Sequence, residues 1–552
     1  MRRTGRHDGR GLEYAGSTLL LALAAFVAPA EASAAEDAAP APGPTEAARS
    51  APIAPASGSV VLHDFRDPPV FSYTEAWDRN YLRALLQYQA ITALGVLWYI
   101  TTTDLDREWR LGYQWETFRE KLTGEAFGLD TNHFGTNFIG HPLGGTGYYH
   151  AARANRLTWP ASFGFAIAGS LFWEYFGEVT ETVSANDMLV TSMGGLAIGE
   201  ATFQLAAFFD RSRPTFTNRL LGTVFGPVKT VNDWLDGLAP RTASPLDENG
   251  FPADTWHRFD LGAMLGFTFQ DAVPERAAAL TSGEARLAFD ASLFRLGGFR
   301  GPVNRSHWFG DANVSRIALE IAAGSPGIVD VSFETQVVLA GYFARNVARD
   351  GSSGIQGNSM VLGAATGFVY ALHDYDRDGL RERDRIAGVR PIAFFMNHLA
   401  ELGDFKLDAT FEAGPSFSGI QPYALGEYVA AQRDELVLPR VVSARDYYFG
   451  IGGYAASRLS GELGPFELAL SLFGESYGSI QSLSAYADEL PGPRETLADL
   501  RTRANARFSY RLPGGSTVAS LLFDRRERWG RVGPVFAERR ELTLGIGLGA
   551  RL

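Results

Sequence analysis

The last eleven residues of the chain decide its fold. They read Leu542-Thr543-Leu544-Gly545-Ile546-Gly547-Leu548-Gly549-Ala550-Arg551-Leu552. Apolar side chains alternate with small or polar ones without a break, as in a β-strand with two unlike faces. Segments of about ten such residues have the length that a tilted strand needs to cross a bilayer. The pattern predicts a C-terminal antiparallel transmembrane β-barrel of about twelve strands over residues 255–552.

Similar alternating runs recur through the second half of the chain. The clearest span residues 259–269, 287–293, 329–337, 405–412, 466–472 and 507–511. A soluble β-sandwich or an enclosed barrel would also alternate. An export signal, the strand length and the terminal strand favour the membrane barrel. The terminal Leu552 departs from the aromatic residue that often ends such barrels.

The first residues have the features of a signal peptide over residues 1–34. Arg2, Arg3 and Arg6 give a positive start, an apolar core covers residues 19–27, and Ala32-Ser33-Ala34 fits a cleavage site. A retained N-terminal anchor is the alternative. Residues 35–57 are rich in Ala, Pro, Glu and Ser, which predicts a disordered linker. Export and a barrel together predict an outer-membrane location, with outer-membrane lipid as partner and periplasmic or envelope components as further candidates.

The composition excludes several classes of function. The formal net charge of -12 argues against a nucleic-acid partner, for which a basic surface is expected. The chain has no cysteine, which excludes disulfides, cysteine-based zinc sites and thiol nucleophiles.

Three apolar stretches of helical length lie in the middle of the chain, at residues 81–100, 159–176 and 187–209. Polar residues such as Arg83, Gln87 and Glu200 weaken the interpretation that these stretches span a membrane. We therefore expect a compact helical bundle over residues 75–240, located in the periplasm, where packing against the barrel or its mouth is open to it. Gly195 and Gly199 would let another helix approach closely, and Ser184 or Asn186 is a suitable N-cap for the third stretch.

Histidines and carboxylates of this region form a candidate site. His133 and His141 lie in a glycine-rich segment that predicts a loop or broken helix. Glu174 and Glu178 are one helical turn apart, and Asp187 follows. A catalytic set of His141, Glu174, Glu178 and Asp187 could perform acid–base chemistry, and His133, His141, Glu174 and Glu178 could bind a divalent metal. The alternative is structural: these groups fix the turn between helices by hydrogen bonds.

The segment from Asp130 to Glu200 resembles a family of exported bacterial proteins known only as a domain of unknown function. The matching residues are His133, Asn137, His141-Pro142, Gly145, Gly147, Tyr148-Tyr149, Trp173-Glu174, Glu178, Asn186-Asp187, Gly194-Gly195 and Gly199-Glu200. The order of histidine, glutamate, Ser-x-x-Asp and Gly-Gly also resembles, more distantly, the VanZ-like helical proteins. Neither resemblance implies a catalysed reaction.

One segment of the second half opens like a calcium-binding loop. Asp374, Asp376 and Asp378 alternate and a glycine follows, but the twelfth position is Arg385 instead of glutamate. A solvated hairpin tip is the alternative. Two functions therefore stand: an outer-membrane barrel for envelope transport, anchoring or maintenance, and a membrane-associated hydrolase-like enzyme acting on lipid or cell-wall substrates.

Overall fold

The structure is a computed structural model, and it describes residues 71–75, 78–102, 115–130, 132–178, 181–238, 242–243, 245–270, 279–302, 304–324, 327–350, 354–377, 380–432, 439, 446–480 and 494–552. The predicted signal peptide and linker lie outside these residues. A helical region comes first, and a closed antiparallel β-barrel follows.

The helical region consists of seven described helices and one short parallel strand pair. They are α1 (Tyr81–Thr102), α2 (Trp115–Thr123), β1 (Phe127–Gly128), α3 (His141–Arg153), α4 (Trp159–Phe172), β2 (Val183–Ser184), α5 (Ala185–Arg211), α6 (Phe216–Phe225) and α7 (Pro227–Leu235). A π-helical turn precedes α3 at Thr136–Gly140, and another follows α4 at Trp173–Gly177. Of the two predicted N-cap candidates it is Ser184 that caps α5, because its hydroxyl accepts a hydrogen bond from the Asp187 N–H at 3.2 Å.

The barrel has twelve strands, and a short extra strand pairs with one of them. In chain order they are β3 (Trp256–Gln270), β4 (Ala279–Phe294), the extra strand β5 (Arg305–Phe309), β6 (Val314–Gly324), β7 (Gly327–Asp350), β8 (Gly354–Arg377), β9 (Leu380–Leu402), β10 (Phe405–Ile420), β11 (Tyr448–Leu463), β12 (Phe466–Ser479), β13 (Leu497–Arg511), β14 (Thr517–Val532) and β15 (Val535–Arg551). The helix α8 (Leu425–Ala430) lies in the connection between β10 and β11.

Pairing of the first and last strands closes the barrel. In that pair Leu544 lies opposite Phe267 and Leu548 lies opposite Ala263. Closure satisfies the backbone groups that an open edge would leave unpaired, which a strand in hydrocarbon requires. The alternating run at the end of the chain therefore belongs to the closing strand, and the predicted number of strands is confirmed.

The two faces of the barrel wall differ in polarity. On β12, Leu470 is 41% exposed on the outside, whereas Glu467 is 4% exposed and faces the lumen. We call the exposed outward apolar residues the apolar belt; it comprises Leu265, Phe267, Leu287, Phe394, Phe411, Leu459, Leu468, Leu470, Leu472, Phe508, Leu521, Phe523, Leu544, Ile546 and Leu548. Towards the turn between β14 and β15 the belt ends at outward-facing charges such as Arg525 and Glu538.

The helical region packs against the outer wall of this barrel. The first half of α5 packs at Val190 and Ile198 on outward residues of β7–β11, including Val389 and Phe449. The second half packs at residues 201–209 on outward residues of β3, β4, β6 and β7. The helix thus runs along the wall from one end of the barrel towards the other. None of the described helices is long and apolar enough to cross a membrane by itself.

Candidate functional site

The predicted site residues lie where the start of α3, the start of α5 and the barrel wall meet. The π-helical turn at Thr136–Gly140 continues directly into α3, so His141 is the first residue of a thirteen-residue helix. The predicted loop or broken helix is therefore largely helical. Gly145 is needed for packing, because its backbone lies against Thr191 and Gly195 of α5.

His141 and Asp187 form the centre of the site. The Nε2 atom of His141 lies 3.4 Å from Oδ2 of Asp187. Asp187 is buried, while the His141 side chain is 23% exposed. Within the described part of the chain, neither of these two atoms has a hydrogen-bond partner. The pair therefore has unused hydrogen-bonding capacity at two buried atoms, beside a histidine ring that is partly exposed.

Amides and a carboxylate surround this pair. Asn186 donates to Oδ1 of Asp187 at 2.8 Å and to Oδ1 of Asp130 at 2.9 Å. Asn137 donates to the same Asp130 oxygen at 2.7 Å and to the Tyr447 hydroxyl at 2.9 Å. Because Tyr447 immediately precedes β11, the network fastens the helical region to the barrel.

Glu174 lies in the π-helical turn that follows α4, next to β2, and Glu178 comes directly after that turn. The Ser184 N–H donates to Oε2 of Glu174 at 2.6 Å. The buried Lys121 ammonium donates to the backbone carbonyls of both Glu174 and Glu178. Glu174 thus has a structural contact with the residue that caps α5, and the charges of Glu174 and Glu178 also act on Asp187, where they add to the effect of burial in raising its pKa.

Burial dominates the proton equilibria of these groups. It raises the pKa of Glu174 to about 8, against the opposing hydrogen bond from the Ser184 N–H. It also raises the pKa values of Asp187 and Glu178 well above their ordinary range, and lowers the pKa of His141. These directions favour a neutral acid facing a neutral imidazole at the centre of the site.

The remaining predicted ligands do not join this centre in the described contacts. His133 is exposed and lies three residues before the π-helical turn begins at Thr136. Within the residues that the structure describes, no three histidine, aspartate or glutamate side chains could together hold a metal ion. Asp374 is buried and pairs with Arg383 at 2.8 Å; the Asp376 side chain and Asp378 lie outside the described residues. The metal and calcium sites remain predictions.

The lumen is a second polar cluster, which sequence reasoning missed. Arginines and carboxylates from many strands face each other there, and Asp524 is the best example, since it contacts Arg286, Arg503 and Arg526 at 3.0, 2.8 and 3.2 Å. The alternation of the strands indicates which residues face inward, but pairs formed between distant strands have no signal in one sequence. A cavity of about 460 Å³ remains beside these side chains.

Solved structures that resemble this chain include several outer-membrane proteins. OmpTdeltaL8, a loop L8 deletion mutant of OmpT from Vibrio cholerae, is 8% identical over 54% of this chain and 100% of its own, with a TM-score of 0.20. The translocator domain of the autotransporter NalP from Neisseria meningitidis is 10% identical over 54% and 88%, with a TM-score of 0.17. A Pseudomonas aeruginosa FadL homologue is 9% identical over 55% and 90%, with a TM-score of 0.21. These TM-scores are low, and the barrel is established by its own strand pairing.

No curated protein matches this chain. Residues 126–228 match a family described as "Domain of unknown function (DUF3943)". The matched segment starts just before β1, ends at the start of α7 and includes His141, Glu174 and Asp187. The predicted resemblance of the helical region to a domain of unknown function is confirmed at this level.

Proposed function

We propose that the protein is an outer-membrane barrel with a closed lumen that holds its helical region at the membrane, in anchoring or maintenance of the envelope. One observation carries this proposal: arginine–carboxylate pairs cross the lumen between strands that are not neighbours. Three of them join Arg503 of β13 to Glu320 of β6 at 3.1 Å, Arg528 of β14 to Asp384 of β9 at 2.9 Å, and Arg258 of β3 to Glu467 of β12 at 2.8 Å.

These pairs make an open diffusion pore the less favoured form of envelope transport. The interior of a twelve-strand barrel is narrow enough for long side chains to fill. Passage of a solute through the lumen would require several bridges to separate, and a charge left unpaired in a confined site is costly. The bridges instead stiffen the wall on which α5 packs, as expected of a platform.

Planar-bilayer recording tests the closed lumen. The purified full chain should insert without producing stepwise conductance at moderate salt and voltage. A general porin in the same bilayer provides the positive control for insertion and detection. Regular single-channel steps from this chain would contradict the proposal and favour transport through the lumen.

A second function, an enzyme acting on lipid or cell-wall substrates, is favoured by the His141–Asp187 pair. Two facing polar atoms without hydrogen bonds, on a histidine whose ring is partly exposed and its aspartate partner, are suited to moving a proton. Incubation with envelope phospholipid, lipopolysaccharide or peptidoglycan, followed by mass spectrometry, tests this function. Turnover that is lost in His141→Asn and kept in His133→Asn supports it, whereas absence of any product from the folded wild type contradicts it.

The resemblance to VanZ-like proteins and the periplasmic location of the helical region remain predictions. The polar residues along α1 motivate the periplasmic prediction. Packing of α5 along the barrel wall weighs against a helical region that lies wholly in water, because that wall also carries the apolar belt.

A further inference from the structure

The polarity of α1 is reversed with respect to a helix of a water-soluble protein. Its side towards the protein carries Arg83 and Gln87, which bond to Asp236 and Asn232 of the segment around α7. Its exposed positions are almost all apolar: they are Tyr81, Leu82, Leu85, Leu86, Gln89, Ala90, Ala93, Leu94, Leu97, Trp98 and Thr101. Leu82 and Leu94 are 69% and 66% exposed. A helix that faces water shows the opposite arrangement.

The neighbouring helix α4 extends the same surface. Its exposed residues in the stretch 161–171 are Gly164, Ile167, Ala168 and Leu171, which share one helical face. The two helices are in contact, since the rings of Tyr88 and Phe165 pack edge to face with centroids 5.9 Å apart. We call the exposed residues of α1 and α4 together the outer face. A contiguous apolar surface of this size marks a membrane or protein contact.

Helix packing fixes where the outer face lies relative to the wall of the barrel. Gly147 of α3 lies against Ile91 of α1. Tyr149 of α3 lies against Gly199 of α5. Gly199 falls between the two halves of α5 that pack on opposite ends of the wall. Two helices, α3 and α5, therefore separate the middle of α1 from the middle of the barrel wall.

The apolar belt continues from this part of the wall. Val331, which the helices cover, pairs with Ile321; Ile321 pairs with Leu287 of the belt. The same ladder then passes through Ala263 to Leu548, which is 60% exposed in the belt. The surface that lipid would cover on the barrel thus reaches the helices and does not stop short of them.

The length of α1 agrees with this position. At about 1.5 Å per residue, the exposed aromatics Tyr81 and Trp98 lie about 25 Å apart along the helix axis. The apolar band of outer-membrane barrels is about 25 Å tall and is flanked by aromatic residues at both interfaces. The helix does not need the hydropathy of an isolated span, because its polar side is satisfied by the protein.

We propose that the outer face lies in the lipid of the membrane that holds the barrel. The grounds are the reversed polarity of α1, the packing of α1, α3 and α5 on the wall, and the continuity of that wall with the apolar belt. The occupant of this surface is lipid acyl chain, and the helical region forms a half-immersed layer beside the barrel instead of a water-exposed periplasmic domain. The inference rests on the barrel being in a membrane, which the proposed function also requires.

Collision rates of spin labels test the proposal. The chain has no cysteine, so each introduced cysteine is unique. Leu86→Cys and Leu94→Cys probe the outer face, Leu470→Cys the belt, and Glu538→Cys a charged outward position beyond it. In phosphatidylcholine–phosphatidylglycerol liposomes, labels at 86 and 94 should collide with oxygen much more than with a water-soluble nickel chelate, as at 470. Ala90→Cys replaces either probe that fails to fold.

Two results would overturn the inference while leaving the barrel intact. Suppose that the label at position 470 reports lipid. Labels at positions 86 and 94 that are as accessible to the nickel chelate as the label at position 538 would then place the outer face in water. Low accessibility to both reagents would show that protein, such as a second copy, covers it. Nickel accessibility at 470 as well would instead contradict the membrane barrel itself, so failure of the inference and failure of the proposed function are distinguishable.

Discussion

The barrel and the helical region place polarity in the same way by different means. On β12, Glu467 points into the lumen and Leu470 points outward. On α1, Arg83 points towards the protein and Leu94 points outward. In the strand, an alternation of period two makes the reversal visible in the sequence. In the helix, the inward polar residues lower the mean hydropathy and make the same reversal resemble a water-soluble segment.

The largest expected effect tests the polar interior of the barrel. Asp524→Ala removes one of the two carboxylates that Arg286, Arg503 and Arg526 share and leaves Glu320 as their common counter-ion, so we expect a loss of about 3–5 kcal/mol in the free energy of unfolding. Urea unfolding in liposomes measures it. The control Arg525→Ala removes an outward, 51% exposed side chain of the next residue and should change stability little. Equal effects of the two variants would contradict a lumen held together by these pairs.

An arginine on each outer surface tests whether both meet lipid. Leu470→Arg on the belt should cost about 2–4 kcal/mol if the residue lies near the middle of the bilayer. Leu94→Arg on α1 should cost a similar amount if the outer face is also in lipid. The fraction folded into liposomes and the unfolding midpoint measure both. A change within about 0.5 kcal/mol for Leu94→Arg, as for an ordinary surface substitution, would end the parallel between the two regions.

The contact between α3 and α5 gives a smaller effect, confined to the helical region. Gly145→Ala would bring a Cβ into collision with the Thr191 carbonyl, and overpacking of this kind costs about 1–3 kcal/mol. Gly144→Ala is the matched control, because no atom lies within 4 Å of its added Cβ and alanine favours a helix. Circular dichroism during heating should show an earlier helical transition only for Gly145→Ala. An unchanged transition would contradict the close packing.

The smallest effect concerns pH. Because burial raises the pKa of Glu174 to about 8, the fold favours its protonated form. The contribution of protonated Glu174 to the free energy of unfolding is complete below the ordinary glutamate pKa and is lost as pH rises through about 8. Glu174→Gln should therefore make the midpoint of helical unfolding fall less between pH 5 and pH 9, although Asp187 and Glu178 still titrate. Glu116 is exposed, so Glu116→Gln should leave the wild-type change of the midpoint with pH. The same change in Glu174→Gln would contradict a raised pKa of Glu174.

Local patterns predicted the fold better than the site. The strand runs, the helical stretches and the Ser184 cap each depend on residues close in sequence, and each is confirmed. The helix α3 was missed because Gly145 resembles a turn residue until the facing Gly195 is known. Tyr447 was missed because its contact with Asn137 joins positions 310 residues apart. The lumen pairs were missed for the same reason, since no local pattern specifies which strands lie across from each other.

Cryo-electron microscopy of the full chain in a lipid nanodisc tests the central claim most directly. We expect one band of bilayer density that meets both the belt around Leu470 and the outer face around Leu94, with the lumen crossed by arginine–carboxylate pairs. A bilayer that surrounds the barrel completely, with the helical region detached from the wall and surrounded by solvent, would contradict it.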